Sequence, residues 1–101
     1  MEFNEIQEKI IKTVKKYGEE FDIEIDDDFV LLKLYEEVGE FTEAVLIHRK
    51  KSRPEKHISE EESKEKMAQE LADIIGLAIV NAYVLDIDLE EAIKKKWIDR
   101  E

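Results

Sequence analysis

Leu71-Ala-Asp-Ile-Ile-Gly-Leu-Ala-Ile-Val-Asn-Ala-Tyr-Val-Leu85 is a fifteen-residue run in which only Asp73, Gly76 and Asn81 interrupt apolar side chains. A helix of this kind has no polar face to offer water, so it must be covered at the centre of a bundle, at a subunit interface, or both. The run is too short for a membrane span and contains an aspartate, which excludes that reading. Upstream, Ser59 followed by Glu62 is a capping box that starts the helix, so it extends from there to about Leu85. The polar stretch from Lys51 to Ile58, with Pro54 inside it, reads as a connection. Before it, about Asp28 to Lys51 forms a second long helix with Leu31, Leu34, Val38, Phe41 and Val45 as its core stripe.

The outer elements are shorter. Asn4 and Gln7 stand as N-cap and N3 of a first helix from about Glu5 to Tyr17, which Gly18 ends. The aspartates between Asp22 and Asp28 cap the second helix. Asp88 with Glu91 opens a short last helix carrying Leu89, Ala92, Ile93 and Trp97. With three Gly and one Pro in 101 residues, little turn chemistry is left for a sheet. The expectation is a single all-α domain over residues 1–101, a four-helix bundle with two long antiparallel central helices, completed by oligomerisation.

The formal net charge of −11, from 27 acidic and 16 basic residues, removes the electrostatic footprint of a duplex nucleic-acid binder. No cysteine is present, which excludes disulfides, thiolate metal sites and a cysteine nucleophile. The first residues show neither a basic leader nor an apolar segment, so a cytoplasmic location without a membrane partner is expected. Nineteen Glu and thirteen Lys against two Asn and two Gln is the bias of heat-adapted proteins.

Two acidic pairs carry the chemistry. Glu37 and Glu40 are three residues apart, as are Glu70 and Asp73, and helical spacing places each pair on one face. Pairs of this kind arise by chance on solvated faces of an acidic chain, so position has to decide. At about 100° per residue, Glu37 lies roughly 60° from Leu34 and 40° from Phe41, and Glu70 and Asp73 flank Ile74 and Leu77. Carboxylates at the border of a core repel one another and lose hydration unless a cation compensates. The two pairs are equidistant from position 55, inside the Pro54 connection, and in an antiparallel hairpin such residues lie side by side. Lys33 to Glu40 also parallels Lys66 to Asp73, with Gly39 and Ala72 as matching small residues that would let the backbones approach. An all-oxygen ligand set suits Mg²⁺ or Mn²⁺ rather than zinc. Neither His48 nor His57 follows a Glu by three residues, as a di-iron bundle requires, and both read as exposed bystanders.

The string Glu36-Glu37-Val38-Gly39-Glu40, followed by Glu70-Leu71-Ala72-Asp73, resembles the Glu-Glu-x-x-Glu and Glu-x-x-Asp signature of the MazG-like all-α nucleoside triphosphate pyrophosphohydrolases. Ile87 to Ala92 and Lys96-Trp97 are similar to that family's last helix. The resemblance implies hydrolysis of a nucleoside triphosphate between its α and β phosphates, giving the monophosphate and pyrophosphate with Mg²⁺ as cofactor. It also implies Glu37, Glu40, Glu70 and Asp73 as metal ligands, and a homodimer or homotetramer. Glu36 matches the motif's leading acid and, with Glu37, is the candidate for handling the attacking water. Lys33, Asn81, Lys96 and Arg100 are the candidate substrate contacts, although a satisfied interior amide accounts better for Asn81 and surface solubility accounts equally for Lys96. Two alternatives stand beside this reading: a phosphoribosyl-ATP pyrophosphohydrolase-like enzyme, and a non-catalytic oligomerisation or nucleotide-sensing module.

Overall fold

The computed structural model describes residues 1–99. They form an all-α fold of four helices: α1 Phe3–Phe21, α2 Asp27–His48, α3 Glu60–Val84 and α4 Leu89–Ile93. A 3₁₀ turn, Pro54–Lys56, lies in the α2–α3 connection, and a π turn, Lys94–Ile98, continues α4. The expected class, element order and two long middle helices are all present.

The cap chemistry explains most boundaries. Asp26 accepts from the Phe29 N–H at 2.9 Å and starts α2. Ser59 and Glu62 form the complete capping box of α3, and Asp88 accepts from the Glu91 N–H to start α4. At α1 the expectation is corrected. The helix begins on Glu2 without a side-chain cap and runs past Gly18 to Phe21. Asp22 terminates it in the left-handed region at φ 54°, and Ile23 N–H bonds back to Gly18 O. Lys50 after α2 and Asp86 after α3 repeat this left-handed ending with the same six-to-one bond, so no helix stops on glycine. Gly18 serves packing instead. A Cβ there would stand 2.8 Å from Ile25 Cγ1 and 2.9 Å from Ile23 O, so the loop after α1 folds back against bare backbone.

α3 is the central element, packing along α2 on one side and against α1 on another. Two hydrogen bonds fix the α2–α3 register: the Asn81 Nδ2 donates to Val30 O at 3.0 Å, and His48 Nδ1 meets Ser63 Oγ at 2.6 Å. Both pairs are symmetric about position 55.5, almost the midpoint that the acidic pairs indicated. The helices are therefore antiparallel with Pro54 at the bend.

The buried core is Val30, Ala44 and Ile47 of α2 against Ile79, Val80 and Ala82 of α3. The expected α2 stripe is rotated from this. Leu34, Phe41 and Val45 are half-buried, but Leu31 and Val38 face outward with Leu32, Tyr35 and Leu46. Leu71, Ile75 and Tyr83 of α3 are likewise exposed, so within this chain α3 is covered on part of its circumference only. By length and composition α3 could cross a bilayer, but its Asp73 and Glu70 meet α2 carboxylates in the site described below. Gly39 is exposed and a Cβ there would meet nothing, so it does not mediate the α2–α3 approach as the repeat suggested.

Candidate active site

Between the two cross-links, α2 and α3 bring acids together. Single carboxylate oxygens of Glu37, Glu70 and Asp73 all lie within 4.8 Å of one another, and the same holds for Glu36, Glu37 and Glu40. Glu37 belongs to both groups. The four expected ligands, together with Glu36, thus fall into two overlapping clusters that share Glu37; the antiparallel register forms the one that spans both helices, since Glu37 and Glu40 project from the middle of α2, opposite Glu70 and Asp73.

The electrostatics of the cluster are unresolved by the chain itself. Glu37 Oε2 and Glu70 Oε2 are buried without a hydrogen-bond partner among the described residues. An unpartnered buried carboxylate oxygen is costly, and two side by side more so. Burial pushes the Glu37 carboxyl from its ordinary 4.5 up to about 8, reinforced by proton sharing with Glu40 and Glu70 and by the Asp73 charge. Hard oxygen donors in this geometry fit a divalent cation that would neutralise both orphans. The same desolvation and like-charge crowding recur where carboxylates are built to work rather than to stabilise.

Lysines sit at the edge. Lys33 Nζ binds Glu36 Oε1 at 2.7 Å, one helical turn away on α2, and that bond raises its own pKa. Glu36 is therefore held by one oxygen while its second is available. On the outer side, Lys66 shares a small acidic cleft with Glu40, Glu43 and Glu70. Asn81, a candidate substrate contact, spends both amide hydrogens on backbone, on Val30 O at 3.0 Å and on Leu77 O at 2.8 Å. Lys96 is exposed on the π turn, whose packing is chiefly with α4, and it lines neither cavity. Arg100 lies outside the described residues.

His48 is not the exposed bystander the sequence suggested. It is half-buried on Ser63, whose hydroxyl donates to Glu60 O at 3.0 Å, so the imidazole donates its Nδ1 proton to the serine. With its hydroxyl hydrogen committed to a carbonyl, Ser63 is a structural tie, not an activated nucleophile. His57 is exposed as expected.

Sequence reasoning missed a cavity of about 570 Å³ that opens beside the carboxylates. Glu37 and Asp73 stand in its wall, α1 contributes Lys9, Thr13 and Tyr17 from one face, and the bare backbone of Gly76 is exposed to it. Gly76 was the available signal. A mid-helix glycine costs about 0.5–1 kcal/mol relative to alanine, and a Cβ at this one would meet nothing within 4 Å.

The helical hairpin with facing Glu-x-x-Glu and Glu-x-x-Asp pairs is the arrangement that the resemblance to the MazG-like all-α pyrophosphohydrolases implies. Residues 3–96 match the family model of phosphoribosyl-ATP pyrophosphohydrolase, and the chain belongs to that family. Comparison with characterised proteins and with solved structures gave no match.

Proposed function

We propose that this protein cleaves the α–β phosphoanhydride of a triphosphate nucleotide with a divalent cation, Mg²⁺ or Mn²⁺, releasing pyrophosphate and the corresponding monophosphate. The observation that carries this reading is the Glu37, Glu70 and Asp73 cluster, with two orphaned buried oxygens, in a chain of a pyrophosphohydrolase family. Glu37, Glu40, Glu70 and Asp73 would hold the ion. When bound, such an ion neutralises the triphosphate and acts as a Lewis acid on its oxygens.

The remaining work falls to the chain. Glu36, fixed at one oxygen by Lys33, presents the other to orient a water and accept its proton. Lys33 stands in the cavity wall next to Glu37, where it meets phosphate oxygens. An acidic protein repels a free triphosphate, so charge compensation at this cluster also controls entry.

For the substrate, the family match favours phosphoribosyl-ATP, with ordinary NTPs or dNTPs as the second reading on the strength of the acidic motif alone. Pyrophosphate release is measured with Mg²⁺ from phosphoribosyl-ATP and from each common NTP and dNTP, with Glu70→Ala as control. Turnover of phosphoribosyl-ATP alone establishes the first reading, and turnover of ordinary triphosphates establishes the second. Mg²⁺-dependent binding without release from any of them overturns the enzyme in favour of a nucleotide sensor.

The working form is proposed to be a homodimer or homotetramer. Leu31, Tyr35 and Val38 form an exposed stripe on α2, with Leu71 and Ile75 exposed on α3. A monomer rarely leaves this much contiguous apolar surface in water. Light scattering coupled to gel filtration reads the state directly.

A further inference from the structure

The outward face of α2 carries a pattern that the acidic site does not use. At about 100° per residue, Leu31, Tyr35, Val38, Thr42 and Leu46 fall within about 80° of one another, with Gly39 just outside them. They lie on the side turned away from the buried Val30, Ala44 and Ile47, and all five are exposed. Thr42 is no obstacle to covering this stripe, because its hydroxyl already donates to Val38 O at 2.9 Å. The chain is 43% charged, yet the charged residues of α2 between Phe29 and Ile47, namely Lys33, Glu36, Glu37, Glu40 and Glu43, all fall on the opposite half of the helix.

Charge returns at the two ends of the stripe with opposite signs. Seven of the ten residues from Glu19 to Asp28 are acidic and none is basic, whereas five of the eight from Arg49 to Lys56 are basic. Compensation of the α2 dipole accounts for Asp27, Asp28 and Arg49, but that effect fades within one turn and reaches neither Glu24 nor Arg53. Glu24, Asp27, Asp28, Arg49, Lys50 and Lys51 make no ion pair among the described residues. With 22 residues of α2 between them, about 33 Å of helix, the two ends cannot meet within one chain.

A second copy turned end for end satisfies both. Leu31 and Leu46 are equidistant from position 38.5, as are Tyr35 and Thr42, and the same centre sets Lys50 opposite Asp27, Lys51 opposite Asp26 and Arg53 opposite Glu24. A parallel copy would place acid on acid and base on base. Resting on the oligomer proposed above, we infer that α2 pairs antiparallel with α2 of a second copy about a dyad beside Val38, and that the basic connection after α2 in each copy clasps the acidic α1–α2 corner of the other. The contact is isologous, so it closes at two chains. The apolar stripe supplies the attraction and the end charges choose the orientation. Glu37 and Glu40 lie on the far half of each α2 and are left uncovered by it.

The test uses the full chain and reads its mass by light scattering across a dilution series, with circular dichroism to show that each variant keeps its helices. An acidic variant, Lys50→Glu with Arg53→Glu, and a basic variant, Glu24→Lys with Asp27→Lys, are each expected to dissociate at least tenfold more readily than the parent. An equal mixture of the two should regain the parent's mass, because each then meets its complement at both ends. Net charge alone would move the two variants in opposite directions. Cross-linking reads the orientation independently, since the chain has no cysteine of its own. Val38→Cys, beside the dyad, should form a disulfide between copies on oxidation. Leu31→Cys should not, its two copies standing about 22 Å apart along the pair, until Leu46→Cys is added to it. A charge variant as stable as the parent, a mixture that stays dissociated, or cross-linking of Leu31→Cys alone overturns the inference and leaves the oligomer standing. A parent chain that runs as a monomer overturns both.

Discussion

The ends and the middle of the α2–α3 hairpin are built from the same helices and do opposite things with polar groups. At the ends, Asn81 with Val30 and His48 with Ser63 meet and satisfy each other. In the middle, Glu37, Glu40, Glu70 and Asp73 crowd together and satisfy each other only in part, leaving two buried oxygens without a partner among the described residues. The ends fix the register, and the register forces four acids into one place. Stability at the hairpin's ends thus supports a destabilised centre, the pattern expected where a site is completed by a ligand.

The sharpest way to break this contrast is at the centre. Glu70→Ala should lower kcat/KM by on the order of 100-fold or more, about 2.7 kcal/mol of transition-state stabilisation. The cation-free variant should melt higher than the parent, because a like charge has been removed. An unchanged melting temperature would show that the cluster is not strained.

At the ends the effect should reverse. Ser63→Ala leaves the half-buried His48 Nδ1–H without its acceptor and should cost roughly 1–3 kcal/mol of stability in urea unfolding, with kcat nearly unchanged. A loss of turnover larger than the loss of folded protein would mean that this tie also acts on the site.

Titration sharpens the contrast further. Glu37 is held up to about 8 in the fold against an ordinary 4.5, so between those values the folded chain binds more protons than the unfolded chain. Stability without a cation should therefore be full below about pH 4.5 on this account, fall as pH rises, and reach its low plateau above about 8. Mg²⁺ or Mn²⁺ must displace that proton, so the rise in melting temperature on adding the ion should be larger at pH 8 than at pH 5. Differential scanning fluorimetry across that range, with and without Mn²⁺, checks both signs.

The smallest expected effect concerns the outer face. Gly39 is exposed and its Cβ would meet nothing, so Gly39→Ala should stabilise α2 by about 0.5–1 kcal/mol in chemical unfolding. A loss of stability that depends on protein concentration would instead place a partner subunit against this face.

Much of this was legible in the chain. Ser59 with Glu62, the aspartates before α2 and Asp88 announced helix starts, because capping is a local hydrogen-bond pattern over three residues. The acidic pairs announced their own alignment, because distance from a turn is preserved in an antiparallel hairpin. What failed depended on neighbours. Leu31 and Val38 fit the helical period as well as the residues that are buried, and only the seating of α3 showed that Val30, Ala44 and Ile47 form the inner face. Gly18 looked like a stop until the returning loop at Ile23 and Ile25 gave it a packing role.

By itself, then, the sequence determined the all-α class, the order of helices, the hairpin about Pro54 and the four facing carboxylates, all set by short-range patterns or by symmetry about one turn. Only the tertiary structure decided which side of α2 is inside, that His48 and Asn81 are ties between elements, and that α1 closes a cavity over Gly76. Those outcomes turn on how far each helix is rotated and where α1 docks, and both are fixed by side-chain contacts between segments that the periodicity of any one segment does not encode.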